Sequence, residues 1–321
     1  MDRVVVPDDM AGERADRIVA VLLGTSRAAA RTAVESGGVR TAHGSVRPAD
    51  RLSGGTILDI DVVPEVTALE PEPEIPIPVA YESPSVLVVD KPAGLVVHPG
   101  AGRVSGTLAN GLVGRYPGQS DLGPERRWGI VHRLDRDTSG LLMVARTPGA
   151  YRVLREALRR REVGRCYLAL VVGTFDNATG TVDAPIGRDP VHPTRMAVTH
   201  GGRPSRTHYR RVAAWFDADV TLLQVRLETG RTHQIRLHLR SIGHPVVGDA
   251  TYGKRFTSPE GIDPGRTWLH AIELGFPDPG GSGDILVEGR LPADLALSLD
   301  ALGAPDLENE PGVDCTAGGL P

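Results

Sequence analysis

Between residues 86 and 276 the apolar residues of this chain arrive mostly in short bounded runs, not at the spacing of amphipathic helices. The runs are VLVVD (86–90), LVVHP (95–99), GIVHRLD (129–135), LLMVAR (141–146), CYLALVVG (166–173), THYRRVAAW (207–215), DVTLLQVRLETG (219–230) and WLHAIELGF (268–276). Runs of this length, bounded by turn residues, read as strands. Helical patterns are fewer, at 106–115, 149–161, 232–242 and 292–302, and fall irregularly between the strands. That order predicts an α+β domain around a mostly antiparallel sheet, where strict alternation would predict a parallel one. No internal repeat is visible.

A break precedes these strands. In PEVTALEPEPEIPIP (64–78) proline and glutamate alternate without an apolar period, which reads as an extended linker. Ahead of it, ADRIVAVLLG (15–24) has the pattern of a short helix, and Ser26 is placed to cap a second, SRAAARTAVES, that ends at Gly37-Gly38. A short strand near Val39, a turn at His43-Gly44 and the strand TILDIDVV complete a small α/β module at 12–63. Arg27 and Arg31 lie one helical turn apart on it. A large domain is expected at 79–302. The acidic, Gly- and Pro-rich end at 303–321 is expected to be disordered.

The net charge of −4 argues at first against a nucleic-acid partner, but it hides a segregation. Residues 126–166 carry eleven arginines against four acids, a net +7, and 203–240 carry eight against three, a net +5. Residues 64–90 hold six acids and no Lys or Arg, and 256–321 reach −10. A local basic face attracts phosphates whatever the total. Two cysteines, Cys166 and Cys315, with no Cys-x-x-Cys, are too few for a disulfide framework and argue against a thiolate zinc site. Acids interrupt the N-terminus where a signal peptide needs its apolar core, and no apolar run approaches a membrane span. A cytoplasmic protein without a membrane partner is expected.

The densest polar cluster inside apolar sequence is GIVHRLDRDTSG (129–140), followed directly by LLMVAR. Carboxylates wedged between two apolar runs need partners, because an isolated charge in low dielectric is costly. A structural salt bridge, a capped turn or a catalytic carboxylate all satisfy that need. Asp135 and Asp137 could in principle serve as the paired carboxylates of a glycosidase, although no separate acid is evident.

HRLDRDTSGLL resembles the catalytic motif of the RluA-type pseudouridine synthases, and three further segments match in the same order: DKPAGLVVHP (90–99), RCYLAL (165–170) and LETGRTHQIR (227–236). The resemblance implies that Asp135 is the essential catalytic residue, that Tyr167 is the active-site tyrosine, and that Arg231 pairs with Asp135. Arg14-Ala-Asp16-Arg17, Ser26-Arg27, Gly37-Gly38-Val39 and Gly54-Gly55-Thr56-Ile57 resemble the small RNA-binding domain of the ribosomal-protein S-four type, from whose usual Val-Asn-Gly this chain departs with Thr41-Ala42-His43-Gly44. The segments 98–112, 180–198 and 202–210 are similar to the branch acting on a stem-loop of large-subunit (23S) rRNA.

The reaction so implied breaks the bond from nitrogen 1 of uracil to the ribose, turns the base and rejoins it through carbon 5. It needs no redox step and no phosphate transfer, so no cofactor or metal is expected. An ionised carboxylate can act as a nucleophile or as a base that gives a glycal-like intermediate. The target base must leave its stack, and Arg133 is the candidate to fill the vacated space. Arg27, Arg31, Arg159, Arg160 and Arg206 are expected on RNA phosphates. The expected partner is 23S rRNA or the large ribosomal subunit, with a monomer favoured. The alternative from another class is an inactive RNA-binding assembly factor, against which the intact Asp135, Tyr167 and Arg231 argue.

Overall fold

The computed structural model describes residues 2–25, 27–61, 69–100, 104–122, 127–175, 177–253, 262–281 and 283–308. The N-terminal module contains β1 (Asp2–Val5), α1 (Ala15–Leu22), α2 (Arg27–Glu35), β2 (Val39–Thr41), β3 (Gly44–Ser45) and β4 (Ile57–Ile60). Its four strands form one sheet in the order β1-β4-β2-β3. Ile18, Val19, Val34, Val39, Leu58 and Ile60 interlock in a core of the module's own, containing no residue beyond Ile60. Arg14 forks the carboxylate of the buried Asp16 with two hydrogen bonds of 3.1 and 2.9 Å, so this motif pair serves the start of α1.

The rest of the chain is built on a ten-stranded sheet. Its elements are β5 (Val79–Glu82), β6 (Val86–Lys91), α3 (Leu108–Arg115), β7 (Ser139–Ala145), α4 (Pro148–Arg160), β8 (Gly164–Val172), β9 (Thr179–Asp183), the small hairpin of β10 (Ile186–Arg188) and β11 (Met196–Val198), β12 (Arg206–Trp215), β13 (Val220–Leu227), α5 (Gln234–Ser241), β14 (Leu269–Pro277), β15 (Asp284–Glu288), α6 (Ala293–Asp300) and β16 (Leu307–Glu308). The main path runs β16-β12-β13-β8-β14-β7-β6-β5, with β9 beside β12 and β15 beside β14. Among the described pairings of this sheet only β14 with β7 is parallel. The α+β expectation therefore describes the large domain.

Strand β7 shows why the sheet sits at the centre. All seven of its residues are buried, and alternation sends Leu142 and Val144 into one core and Leu141, Met143 and Ala145 into another. A strand covered on both faces must read as a continuous apolar run, as LLMVA does. Helix α4 covers the second face with Ala150, Tyr151, Leu154 and Ala157. It starts where the Thr147 hydroxyl accepts the Ala150 amide at 3.1 Å with Pro148 behind it, and stops at Arg161 in the left-handed region.

Three expectations differ from what is observed. The runs LVVHP and GIVHRLD are not strands; their backbones form loops, and each contributes one isolated bridge, Val96 to Thr107 and Ile130 to Val144. Of the expected linker, residues 64–68 lie outside the described residues, and 69–78 dock on α3. Ile77 is buried, the Glu72 carboxylate accepts the Gly106 amide at 2.8 Å, and the Glu70 carbonyl accepts from the Asn110 amide group at 2.9 Å. Residues 303–308 of the expected disordered end run along β12: Trp215 donates its indole N–H to the Gly303 carbonyl at 3.0 Å, and Asp306 accepts the Phe216 amide at 2.6 Å. Residues 309–321 lie outside the described residues.

The docking of 69–78 has a measurable consequence. A chain beginning at residue 69 should melt close to the full protein's large domain. One beginning at residue 79 loses Ile77 and the Glu72 contact and should be less stable by about 2–4 kcal/mol. Chemical denaturation of the two chains checks this.

Candidate active site

Asp135 sits in the loop that leads into β7, and the loop is fixed on both sides of it. On one side Leu134 is buried in the main core. On the other, the Arg136 carbonyl accepts from Lys91 Nζ at 3.0 Å and from the Gly94 amide at 2.9 Å. Lys91, at the end of β6, is fully buried and donates also to the Pro92 and Leu95 carbonyls, at 2.8 and 2.9 Å. Burial pushes this ammonium down to about 7, while the charges of Asp137 and Asp135 pull it back up. The three carbonyls match the three N–H groups of the ammonium form, so the side chain acts as a tie between two loops. Downstream, Arg266 donates to the Asp137 carbonyl at 3.2 Å and to the Ser139 hydroxyl at 3.2 Å. Gly140 then passes so close to β14 that a Cβ there would collide with the Ala271 backbone, and its φ of +110° excludes other residues on its own account.

The partner of Asp135 is Arg236, not Arg231. Arg236 Nη1 stands 3.1 Å from Asp135 Oδ2, while its Nε and Nη2 fork Asp249 at 2.7 and 2.8 Å. The reason lies in α5, whose residues from Gln234 to Leu239 are all buried, so that Arg236 is drawn into the protein among Ile235 and Leu237. Arg231 precedes the helix: its amide donates to the Gln234 side chain at 3.0 Å, and its guanidinium reaches the Pro204 carbonyl at 3.4 Å. Burial opposes the charge on Arg236, but the hydrogen bonds and charge of Asp249, followed by those of Asp135, hold its pKa above the ordinary value. Asp249 also accepts the Thr251 and Tyr252 amides at 2.9 and 3.0 Å, and the Arg236 guanidinium lies over the Tyr252 ring at 5.0 Å. His233, in the left-handed region with φ 58°, places Nε2 4.0 Å from Asp135 Oδ1 and hydrogen bonds through Nδ1 to the Tyr252 hydroxyl at 2.8 Å.

These groups line a cleft of about 820 Å³. Tyr167 faces it from β8, almost wholly buried; burial raises the phenol's pKa, with Arg165 lowering and Asp135 raising it further. His132 lines it too, accepting the Met143 amide on Nε2 at 3.0 Å, and is held neutral because burial, then the charge of Arg165, pushes it down to about 3. His98 and Trp128 face each other across 6.0 Å at its edge, and burial, then Arg127 and Arg133, take the His98 imidazole down to about 4. Arg231 lines the cleft; burial, then like charge from Arg203 and Arg161, pushes it below its ordinary value. The structure thus brings Asp135, Tyr167, Arg133 and Arg231 into one cavity, and with them Arg159, which lines it as well.

The other basic candidates are distributed differently. Arg159 and Arg160 hold Glu156, Arg206 holds Asp183 at 2.6 Å, and Arg31 holds Glu35 at 2.7 Å, all on the surface. Ser26 and the side chain of Arg27 lie outside the described residues. Arg133 is exposed and makes no ion pair among the described residues. Arg236, Asp249, Lys91 and Arg165 were not singled out from sequence. For Arg236 a signal existed, an arginine set between two apolar residues of a helical run, whereas nothing local marks Asp249 as its partner.

The tie at Lys91 predicts that Lys91→Met, which keeps the stem and removes the ammonium, leaves the three carbonyls without this donor. The cost should be about 2–4 kcal/mol of stability. Urea denaturation of the variant against the wild type is the check.

Comparison with known proteins identifies the family. The sequence profile of the RNA pseudouridylate synthase family matches residues 85–241. The chain is 43% identical over 305 residues to the ribosomal large subunit pseudouridine synthase D of Nitrosomonas europaea, covering 93% of this chain and 87% of that protein. It is 45% identical over 300 residues to an uncharacterized RNA pseudouridine synthase of Chloroflexus aurantiacus, covering 93% of each. Among solved structures, human RNA pseudouridylate synthase domain containing 1 superposes with a TM-score of 0.57 at 30% identity, covering 75% of this chain and 94% of that one. With the matched segment spanning β6 through α5, which hold Asp135, Tyr167 and Arg236, the chain belongs to the RluA-type family of RNA pseudouridine synthases, isomerases that convert uridine to pseudouridine.

Proposed function

We propose that this isomerase modifies uridines in a stem-loop of large-subunit ribosomal RNA and that Asp135 carries the chemistry. The observation that supports it best is the carboxylate itself: Asp135 lines a basic cleft, bound on one oxygen by Arg236 and facing Tyr167 and His233. A guanidinium 3.1 Å from Oδ2 holds the carboxylate in one orientation. Oδ1 remains directed toward the cavity, able to attack the ribose or to take a proton from it. Tyr167 is placed to stack on the uracil and to help move the proton from carbon 5. Isomerisation conserves atoms and electrons, so these groups suffice without a cofactor or metal.

The name carried by the Nitrosomonas relative supports large-subunit rRNA as the substrate. The basic stretches around the cleft supply the phosphate attraction. Arg133, exposed at the cavity and without a carboxylate partner among the described residues, is an arginine available to RNA. Arg31, Arg159, Arg160 and Arg206 must first be drawn from their acidic partners. The module of residues 2–61, with its own core and sheet, is read as an RNA-binding accessory of the ribosomal-protein S-four type, and the division into that module and the catalytic part is read from the two separate cores. The absence of a helix able to cross a membrane among the described residues is compatible with a protein that works on ribosomes.

Two outcomes are expected. Asp135→Asn should abolish release of tritium from RNA labelled at uracil carbon 5, and near-normal release would refute the assignment. Arg133→Ala should weaken RNA binding and lower the salt slope of log Kd by about one, while Arg159→Ala should change it less. Filter binding across a salt series distinguishes them.

A further inference from the structure

Arg165 is the group in the cleft that the scheme above leaves unused. It lies on β8 two residues before Tyr167, on the same face of the strand, and both line the cavity. It is only 7% exposed. Its Nε is buried without a hydrogen-bond partner, and its one hydrogen bond among the described residues is a long one, from Nη2 to the Glu228 carbonyl at 3.4 Å. No carboxylate stands within ion-pair distance of it among the described residues. Arg236, equally buried, has two. Room for the guanidinium is kept by Gly230, where a Cβ would stand 2.7 Å from Nη1. Burying a guanidinium without repaying it is costly, and a cost retained in a cavity points to a ligand that repays it.

The reaction names the ligand atom. When the bond from ribose C1′ to N1 breaks, its electron pair leaves with the uracil, and the charge spreads over N1, O2 and O4. C1′ meanwhile either bonds to the Asp135 carboxylate or becomes part of a glycal as the carboxylate takes the C2′ proton. The turned ring then gives an electron pair from C5 to C1′, either as the C1′–carboxylate bond breaks and its electron pair returns to Asp135, or as Asp135 hands its proton back to C2′ of the glycal. The C5 proton is then removed and N1 takes up a proton. Throughout the turn the base is an anion. We propose that Arg165 is its counter-cation, donating hydrogen bonds to a uracil carbonyl oxygen and stabilising the detached ring. A fixed donor placed where charge develops acts far more strongly than it would in water. A guanidinium suits this role because it gives up no proton, so the ring remains an anion able to rejoin through carbon. Phosphates are met by the exposed arginines of the rim, such as Arg133, while Arg165 is sequestered beside Tyr167.

This rests on uridine entering the cleft with Asp135 as the reacting carboxylate. The test uses the full chain in single-turnover reactions on a transcript that the wild type modifies, made with uridine or with 5-fluorouridine and read by nuclease digestion and chromatography. For 5-fluorouridine, whose C5 has no proton to lose, the reaction is followed as loss of the N1-linked nucleoside. 5-Fluorouracil is more acidic at N1, so its anion needs less help. Arg165→Met should retain the melting temperature, lower the maximal rate on uridine by about 100-fold and leave half-saturation within about three-fold. On 5-fluorouridine the loss should be at least about ten-fold smaller, and Arg165→Lys should recover part of the uridine rate. If the Met variant fails to fold, the same comparison of substrates is made with the Lys variant. Equal losses on both substrates would overturn the proposal and leave Arg165 as a packing residue. So would a raised half-saturation with a shallower salt dependence and an unchanged maximal rate, the mark of a phosphate contact. Failure of the wider reading shows separately, as activity retained by Asp135→Asn.

Discussion

The sharing of one guanidinium between two carboxylates organises this enzyme. Arg236 gives two hydrogen bonds to the buried Asp249 and one to Asp135, so the Asp135 carboxylate is referred to the protein interior through a planar group that cannot swing without breaking the inner fork. The inner pair explains why a helix as short as α5 carries an arginine on its buried side, and why the segment from Asp249 to Tyr252 must fold back against it. A buried ion pair is seldom a net source of stability, but breaking one is expensive, and that asymmetry fixes geometry. Here the geometry fixed is that of the Asp135 carboxylate.

What the sequence disclosed follows from range. Runs such as LLMVA and CYLALVV announce β7 and β8 because burial on both faces is written locally in unbroken apolar residues. Asp135 and Tyr167, which the structure brings to one cleft, stood out because each lies in a compact motif. The choice between Arg231 and Arg236 was not legible in the same way. Both stand in one stretch of ten residues, and which of them turns inward depends on how α5 packs and on Asp249, a residue in a different loop. The same limit applied to 69–78, whose prolines and glutamates look like a linker until α3 supplies a surface, and to 303–308, whose acidic, proline-containing stretch conceals a partner for the Trp215 indole. Short edge strands such as β9, β15 and β16 carry no pattern that a neighbour does not create.

Charge tells a related story. The arginines of the central stretches are not a uniform basic surface. Arg31, Arg159, Arg160 and Arg206 lean on carboxylates close by, at distances where the exposed pairs add little to stability. Such pairs keep the guanidinium groups extended and hydrated, and they exchange partners at small cost when a phosphate arrives. The cavity is different, because Arg133 and Arg231 meet there with few acids to balance them, and the carboxylates that remain, Asp135 and Glu228, are already engaged.

The tie formed by Lys91 binds the loop around Asp135 to the end of β6, and Arg266 binds its far side to β14. A loop held in this way has no opening of its own that is cheaper than disrupting the central strands. Its protection against exchange with solvent should equal that of the core, and heat should not inactivate the enzyme ahead of melting it. The conformational entropy of the loop around Asp135 has been surrendered once, during folding, and a ligand that enters the cleft finds that cost already met.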